Sequence, residues 1–412
     1  MTISQVAVPL RVVASAAVPA AAAPPAPKPV STAVAAVTTT VASVIPVFLV
    51  SGLAVQICRE LNLTPTTLGL AVSVYFGVTA LGSLPVGALV ERLGPAWTAR
   101  VAILLAADAM LAIALSARSM PALVLMLAVA ATANSLGQLA SNASLSRSVP
   151  RRRHGFAFGA KQAAVPLATL LSGAAVPALA LTVGWRWGFV AGAALALAAL
   201  ALVPRDRPRP AMARAPAARR RGREPAGAGL VALSVGAALG AAAATTVATF
   251  LVDSAVAQGV TEALAGLMLT LGGVICVCAR LFVGWLADRW NRGHLSMVAA
   301  MLAIGASGIA LLGLRRPAAS LLGVTLGYGL GWCWPGLLTF SVARLRPRTP
   351  AAVTSITQTG VYAGACLGPL GAGLLVVHGG YTVVWSVSAC AMALSACFML
   401  LGSELTVGTN GR

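Results

Sequence analysis

Long apolar runs separated by short polar gaps make up most of this chain. Each run is long enough to cross the hydrocarbon core of a bilayer, which takes roughly 17–25 helical residues. Backbone groups in lipid are satisfied only in helices or closed barrels, and these runs are far too long for barrel strands. The pattern therefore predicts an all-α integral membrane protein with twelve transmembrane helices. The predicted spans are 30–55, 67–90, 98–116, 121–146, 156–182, 186–203, 228–252, 263–287, 295–313, 318–343, 351–376 and 382–402.

The two halves of the chain repeat one another. Segment 87–94 (GALVERLG) and segment 284–292 (GWLADRWNR) each follow a long apolar run and share a pattern of glycine, acid and arginine. Gly87 and Gly284 are 197 residues apart, and Arg147 and Arg344 are separated by the same 197 residues. A constant offset across several landmarks indicates a duplicated unit. We therefore predict two six-helix bundles related by a pseudo-two-fold axis, with a solute-binding cleft between them.

The composition agrees with a membrane location. Hydrophobic residues make up 58% of the chain and charged residues only 9%, whereas a soluble domain has about 25% charged residues. The net charge of +20 does not indicate a nucleic-acid partner, because the arginines lie in short gaps between apolar runs rather than in a soluble basic domain. The seven cysteines lack a metal-ligand spacing, so we predict neither a metal site nor a cofactor.

The polar segments divide the chain into parts. Most arginines fall in segments that share one side of the membrane, which predicts that both termini and the central linker are cytoplasmic. The first residues are rich in Ala and Pro, which is typical of a disordered tail. The predicted parts are an N-terminal tail at 1–28, an N-terminal bundle at 29–203, a basic linker at 204–226, a C-terminal bundle at 227–404 and a tail at 405–412.

From about residue 30 to residue 404, the chain resembles the major facilitator superfamily. The resemblance rests on the twelve spans, the basic linker and the loop motif G-x-L-A-D-R-x-G-R/K, to which segment 284–292 is close. The first copy departs from the motif, since Glu91 replaces the usual Asp and Pro95 stands where a basic residue is common. The resemblance implies a monomeric secondary transporter of the plasma (inner) membrane that works by alternating access. It also implies a gating role for Gly87, Glu91, Arg92, Gly284, Asp288 and Arg289.

The motif residues have a physical interpretation as well. Gly87 and Gly284 permit a close approach of neighbouring helices. Glu91 and Asp288 lie at helix ends, where a carboxylate pairs with an arginine or with the N-terminus of a neighbouring helix. Such a contact holds one face closed and is released when the two halves move. The alternative is that these residues only set topology and packing.

Two basic residues lie inside predicted spans, where an ionisable side chain is costly and is therefore a functional candidate. Lys161 is in the fifth span and Arg280 in the eighth, on opposite halves. Two cations facing one cleft suit an anion, and arginine offers a bidentate fork to a carboxylate. In the monocarboxylate and oxalate branches of the superfamily, an Arg four residues before the eighth-helix Gly contacts the substrate carboxylate, and Arg280 matches that position. A structural ion pair and snorkelling to the interface are the alternatives.

Other polar residues in the spans are candidates for lining the cleft or for hydrogen bonds between helices. Asp108, in the middle of the third span, is predicted to be a structural partner or a proton carrier. Asp253 and Glu262 flank a loop, and we predict that they are solvated. The candidate substrate-binding residues are Tyr75, Asn134, Gln138, Lys161, Arg280, Trp334, Gln358 and Tyr362.

Segments 155–167 and 184–187 also resemble bacterial cyanate-type permeases. Together with the two cations, this resemblance favours transport of a small organic anion with proton coupling or exchange. Efflux of a hydrophobic drug is an alternative, and so is a transport-inactive receptor or scaffold with the same fold. The sequence contains no nucleotide-binding loop and no catalytic set of side chains, so we predict neither an ATPase nor another enzyme.

Overall fold

The computed structural model describes residues 29–150, 153–204, 227–290, 293–345 and 350–410. The predicted N-terminal tail lies outside these ranges, and so does almost all of the predicted linker. Every regular element in the described residues is helical. This confirms the prediction of an all-α fold.

In the first half of the chain, the described residues form eight α-helices. Proline stands at the start of α3, α4 and α5, where its missing N–H costs nothing. The α-helices are α1 (Pro29–Gly52), α2 (Ala54–Leu61), α3 (Pro65–Leu93), α4 (Pro95–Ser116), α5 (Met120–Ser148), α6 (His154–Gln162), α7 (Ala164–Ala175) and α8 (Arg186–Ala199). A π-helix at Val176–Ala180 continues α7, and a 3-10 turn at Leu200–Leu202 continues α8.

The described residues of the second half form six further α-helices. They are α9 (Ala228–Ala257), α10 (Glu262–Ala287), α11 (His294–Leu312), α12 (Pro317–Gly323), α13 (Trp334–Leu345) and α14 (Pro350–Asn410). A π-helix at Val324–Leu330 continues α12 and is followed by a break before α13. Two helices are merged in α14, and they meet at Gly380, whose φ of 68° is a backbone conformation that glycine adopts without strain.

Ten segments of the described residues are long and apolar enough to cross a membrane. One of them, Val353–Thr406, is divided in two at Gly380. The shorter apolar segment Arg186–Leu202 supplies a further crossing. With that division and that addition, the described residues contain the twelve predicted spans. Successive spans run in opposite directions, so Ser148, Val203, Ala228 and Ala287 lie at one end of the bundle, which we call the linker face.

The two halves pack together through glycines. Gly173 on α7 and Gly266 on α10 are so close that a Cβ on either would lie 2.6–2.7 Å from the carbonyl oxygen of the other. Gly69 on α3 packs in the same way on Pro369 of α14, where the corresponding distance is 2.3 Å. Small residues let membrane helices approach in this manner. Glycines therefore form two of the seams between the halves, α7 with α10 and α3 with α14.

Several helix ends differ from the sequence-based prediction. The first span ends at Gly52, and the separate helix α2 follows it. The ninth helix, α9, continues to Ala257, five residues beyond the predicted end of the seventh span. The last helix continues to Asn410, into the segment predicted as a tail. These extensions place Asp253 inside a helix rather than in a loop.

Candidate functional site

Arg280 of α10 lies in the contact between the two halves. It is 3% exposed, and its guanidinium donates to two backbone carbonyls. Nε and Nη2 donate to the Trp332 carbonyl oxygen at 3.1 and 2.6 Å, and Nη1 donates to the Gln162 carbonyl oxygen. The Gln162 carbonyl is free because Pro166, four residues later, has no N–H to complete the helical bond. The Trp332 carbonyl is free because it lies in the break before α13.

Lys161 lies beside this arginine. It is also 3% exposed, and its ammonium donates to Oε1 of Gln138 on α5. Lys161 directly precedes the residue whose carbonyl Arg280 binds, so the two basic residues are close together. The ion pairs found among the described residues involve neither of them. The two predicted cations are therefore brought together, and their hydrogen-bond partners in this part of the chain are neutral.

A group of three aromatic rings adjoins the guanidinium through Trp332. The guanidinium carbon of Arg280 lies 5.4 Å from the ring centroid of Trp332. Phe48 of α1 meets the Trp332 ring edge-on with centroids 6.0 Å apart, and the Tyr328 ring is tilted against the Trp332 ring at a centroid distance of 5.1 Å. Sequence reasoning missed these three rings. The Gly-rich segment 327–336 (GYGLGWCWPG) was the available signal, because glycine-interrupted spans mark binding sites in transporters.

Other candidate residues belong to separate networks. Tyr75 is fully buried and donates to the Ser43 carbonyl at 2.9 Å, which ties α3 to α1. Asn134 donates to Thr79 Oγ1 at 3.3 Å, while its buried Oδ1 has no partner among the described atoms. Gln358 lies one helical turn before Tyr362 on α14, so the two side chains are neighbours on the same face of the helix. These contacts all lie between or along helices.

Two candidates point away from the centre. The ring of Trp334 is fully buried and lies 3.1 Å from the position of a Cβ on Gly240, inside the C-terminal half. Its Nε1 has no partner among the described atoms. Asp108 is exposed on α4, on the side that carries Leu104 and Leu115, which are 49% and 72% exposed. This surface faces lipid when the protein is in a membrane.

The two copies of the loop motif differ at the linker face. Asp288 accepts hydrogen bonds from the backbone N–H groups of Gly155 at 3.0 Å and Phe156 at 2.9 Å, at the start of α6. Its carboxylate thus caps a helix of the other half. In the first copy Glu91 is exposed, and a Cβ on Gly87 would meet nothing within 4 Å. The second copy is engaged in a contact between the halves, and the first is not.

A small pocket lies between α6, α10 and α13, next to the contact of Asp288 with α6, and Arg280 forms part of its wall. Glycines form much of the wall, so main-chain atoms line the pocket. The lining residues are Gly155, Gly159, Arg280, Val283, Gly284, Ala287, Cys333, Gly336, Leu337 and Phe340.

At the opposite face, α2 is held by both halves. Glu262 of α10 accepts from Arg59 at 2.6 Å and from Gln56 at 2.7 Å. Within the N-terminal half, Glu60 accepts from Arg186 at 2.5 Å. The Arg186 hydrogen bond holds the pKa of the Glu60 carboxyl below its usual value.

The prediction that Asp253 and Glu262 are only solvated is wrong. Glu262 takes part in the contacts with α2, and its side chain is 18% exposed. Asp253 is partly buried and accepts from the Tyr381 hydroxyl. Both acids were expected to flank a loop, but Asp253 lies inside α9 and Glu262 is the first residue of α10. Other helices pack against both positions: Tyr381 of α14 reaches Asp253, and Arg59 of α2 reaches Glu262.

The family model of the Major Facilitator Superfamily matches residues 30–234 and 233–409, which is nearly the whole described chain. The chain belongs to the Major Facilitator Superfamily. Membership confirms the predicted family and the prediction of a multi-pass membrane transporter rather than an enzyme. It also agrees with the fold of twelve spans and with the facilitator loop motif at Gly284–Arg292.

Solved facilitator structures share this fold. A bacterial homologue of the human lysosomal transporter Spinster, in an inward-facing and occupied conformation, is 16% identical, with a TM-score of 0.64 over 92% of this chain and 95% of that chain. The proton:xylose symporter XylE bound to 6-bromo-6-deoxy-D-glucose is 15% identical, with a TM-score of 0.71 over 90% of this chain and 95% of that chain. No curated protein matches the sequence. At these identities the similarity shows the fold alone, and the substrate has to be inferred from the residues of the site.

Proposed function

We propose that this facilitator transports a small organic anion by alternating access. The observation that carries the proposal is the pair of buried cations, Lys161 and Arg280, one from each half of the chain. Burying a charge is costly unless it is paired. Their described partners are an amide oxygen and two carbonyl oxygens, which are weaker acceptors than a carboxylate. An anion that enters between the halves interacts favourably with both positively charged side chains.

The position of Arg280 also links binding to movement. Its bond to the Trp332 carbonyl stays within the C-terminal half, whereas its bond to the Gln162 carbonyl crosses to the N-terminal half. When the halves separate, the crossing bond is lost and the guanidinium is left with an open donor. A substrate carboxylate takes that donor, and this exchange of acceptors ties the binding of the anion to the motion of the halves.

The first test is a binding screen on the purified protein. We expect lactate, oxalate or benzoate to raise the apparent melting temperature, because a ligand at about a hundred times its Kd stabilises the native state by about 2.7 kcal/mol. Arg280→Ala and Lys161→Ala should abolish this shift. Arg118→Ala, which removes an exposed arginine, is the matched control and should leave it unchanged.

Efflux of a hydrophobic drug makes the opposite prediction. In that case a lipophilic cation such as tetraphenylphosphonium stabilises the protein, carboxylates have no effect, and the two cations are only structural. A transport-inactive receptor binds an anion but does not move it. Uptake of the stabilising anion into proteoliposomes separates that outcome from transport.

We also propose that transport is driven by protons or by exchange. In proteoliposomes, an imposed proton gradient should drive accumulation of the anion in the first case. In the second case, accumulation should require a counter-anion inside. Asp108 is exposed on α4, away from the two cations, so Asp108→Asn should leave either mode of transport intact.

The same proposal places the protein in the plasma (inner) membrane as a monomer, with the linker face in the cytoplasm. The excess of arginine in segments at that face supports this orientation. Protease added to sealed, right-side-out cells should not cut a tag placed at either terminus. Cutting of both tags would show that the orientation is the opposite of the one proposed, and it would leave the anion proposal unaffected.

A further inference from the structure

We propose that the transported anion is an aromatic carboxylate, whose ring lies between Phe48 and Trp332 while its carboxylate binds Arg280. This inference rests on the proposed function and names its substrate class. It is carried by the contact between two aromatic rings from opposite halves, directly beside the buried arginine.

The ring contact lies where the halves must separate. Phe48 belongs to α1 in the N-terminal half, and Trp332 belongs to the broken segment before α13 in the C-terminal half. Their centroids are 6.0 Å apart at an interplanar angle of 69°, which is a favourable edge-to-face arrangement. Movement of the halves breaks this contact and exposes two apolar ring surfaces. A flat ring that enters between them restores aromatic contacts on both sides.

The chemistry of the surrounding groups favours an apolar substituent. Tyr328, the third ring of the group, uses its hydroxyl in a hydrogen bond with Thr169, and the Trp332 carbonyl is occupied by Arg280. The rings are 1–5% exposed, so little water reaches them. A polyhydroxylated substrate would leave its hydroxyls unpaired in such a place, which is costly. A carboxylate attached to an apolar ring matches both the cations and the ring surfaces.

The sequence offers a matched control two residues away. Trp334 is as deeply buried as Trp332, but its ring packs on Gly240 inside the C-terminal half. Substituting either tryptophan removes similar apolar volume from the same segment. Only a change at Trp332 alters the surface that faces the other half and Arg280.

Calorimetry or thermal shift should then compare benzoate, cyclohexanecarboxylate, acetate and benzyl alcohol. We expect benzoate to bind about fivefold more tightly than cyclohexanecarboxylate, since an aromatic pair adds about 1 kcal/mol beyond the area that it buries. Acetate should bind at least about a hundredfold more weakly than benzoate, because it loses the burial of the ring as well as the aromatic contact, and benzyl alcohol should not bind. Trp332→Leu should bring the ratio of benzoate to cyclohexanecarboxylate affinity close to one. Trp332→Phe and the matched control Trp334→Leu should preserve the ratio.

The outcomes separate this inference from the proposed function. Carboxylates that bind in an Arg280-dependent way, but with no preference for the aromatic ring, overturn the inference and leave anion transport in place. A preference that survives Trp332→Leu also overturns it. If no carboxylate binds, the proposed function fails first. Since the ratio in the unmodified protein is itself a test, a Trp332→Leu variant that does not fold leaves the inference open to refutation.

Discussion

Removing the Asp288 carboxylate should open the linker face. Its two oxygens accept from the N–H groups of Gly155 and Phe156 at 3.0 and 2.9 Å, so a side chain of one half caps a helix of the other. The first N–H groups of a helix have no partner within that helix. A carboxylate at this position also interacts favourably with the helix dipole. Asp288→Ala removes all of these interactions at once.

The size of the effect follows from the geometry. A hydrogen bond to a charged group contributes about 1.5–3 kcal/mol when it is well shielded from water. Phe156 is 48% exposed, and water replaces the carboxylate when the face opens, so we take about 1 kcal/mol for each bond. Two bonds then contribute about 2 kcal/mol to the closed state. This corresponds to about a 30-fold change in the ratio of closed to open molecules.

Distances between spin labels at Ser146 and Ser296 would measure that ratio. Both residues are exposed near the linker face, one in each half, and the labels require a background without the seven native cysteines. We expect a longer distance to become populated in Asp288→Ala, and to a smaller extent in Asp288→Asn, which keeps one acceptor oxygen. Glu91→Ala is the control, since Glu91 is exposed in the first copy of the motif. Equal opening in the control, or none in Asp288→Ala, would refute the capping argument.

Three further substitutions test the packing and the opposite face. Gly364→Ala should destabilise the protein by about 1–3 kcal/mol, because the added Cβ would lie 1.9 Å from a carbonyl oxygen of α9. Gly371→Ala in the same helix is the control and should leave the melting temperature unchanged, because its Cβ would meet nothing within 4 Å. The lowered pKa of Glu60 makes its pairing with Arg186 stabilising above the unfolded pKa of about 4.3. The stabilisation is lost as the pH falls through the folded pKa, so the melting temperatures of the native protein and Glu60→Gln should differ at pH 7 and converge as the pH falls below about 4. Glu262→Gln should release α2 from the C-terminal half, because Glu262 accepts hydrogen bonds from Arg59 and Gln56 of that helix. A membrane-impermeant maleimide should then label the thiol of Cys58 in α2 faster. An unchanged labelling rate would contradict the role of this contact.

The sequence predicted the number of spans well because each apolar run has nearly the length that a bilayer requires. It did not predict α2, because that helix adjoins the first run and carries polar residues on one side. The break at Ala163 was hidden inside a continuous apolar run. Pro166 was the visible signal for it, since a proline leaves the carbonyl four residues earlier without a helical partner. Arg280 donates a hydrogen bond to that carbonyl oxygen. The hydrogen-bond partner of a backbone carbonyl cannot be predicted from residue type alone.

The same limit explains why Trp334 was a candidate and Trp332 was not. A helical pattern places residues by a rotation of about 100° each, which follows from 3.6 residues per turn. The π-helix at Val324–Leu330 and the break after it interrupt that rotation, so positions beyond them cannot be assigned to a face by counting. Arg280, on the uninterrupted helix α10, was a candidate from the sequence because a charge within a span is costly, and the structure buries it. The site is thus half predictable. The charged groups are visible in the sequence, whereas the carbonyls and rings that hold them depend on two irregular segments whose geometry only the folded structure supplies.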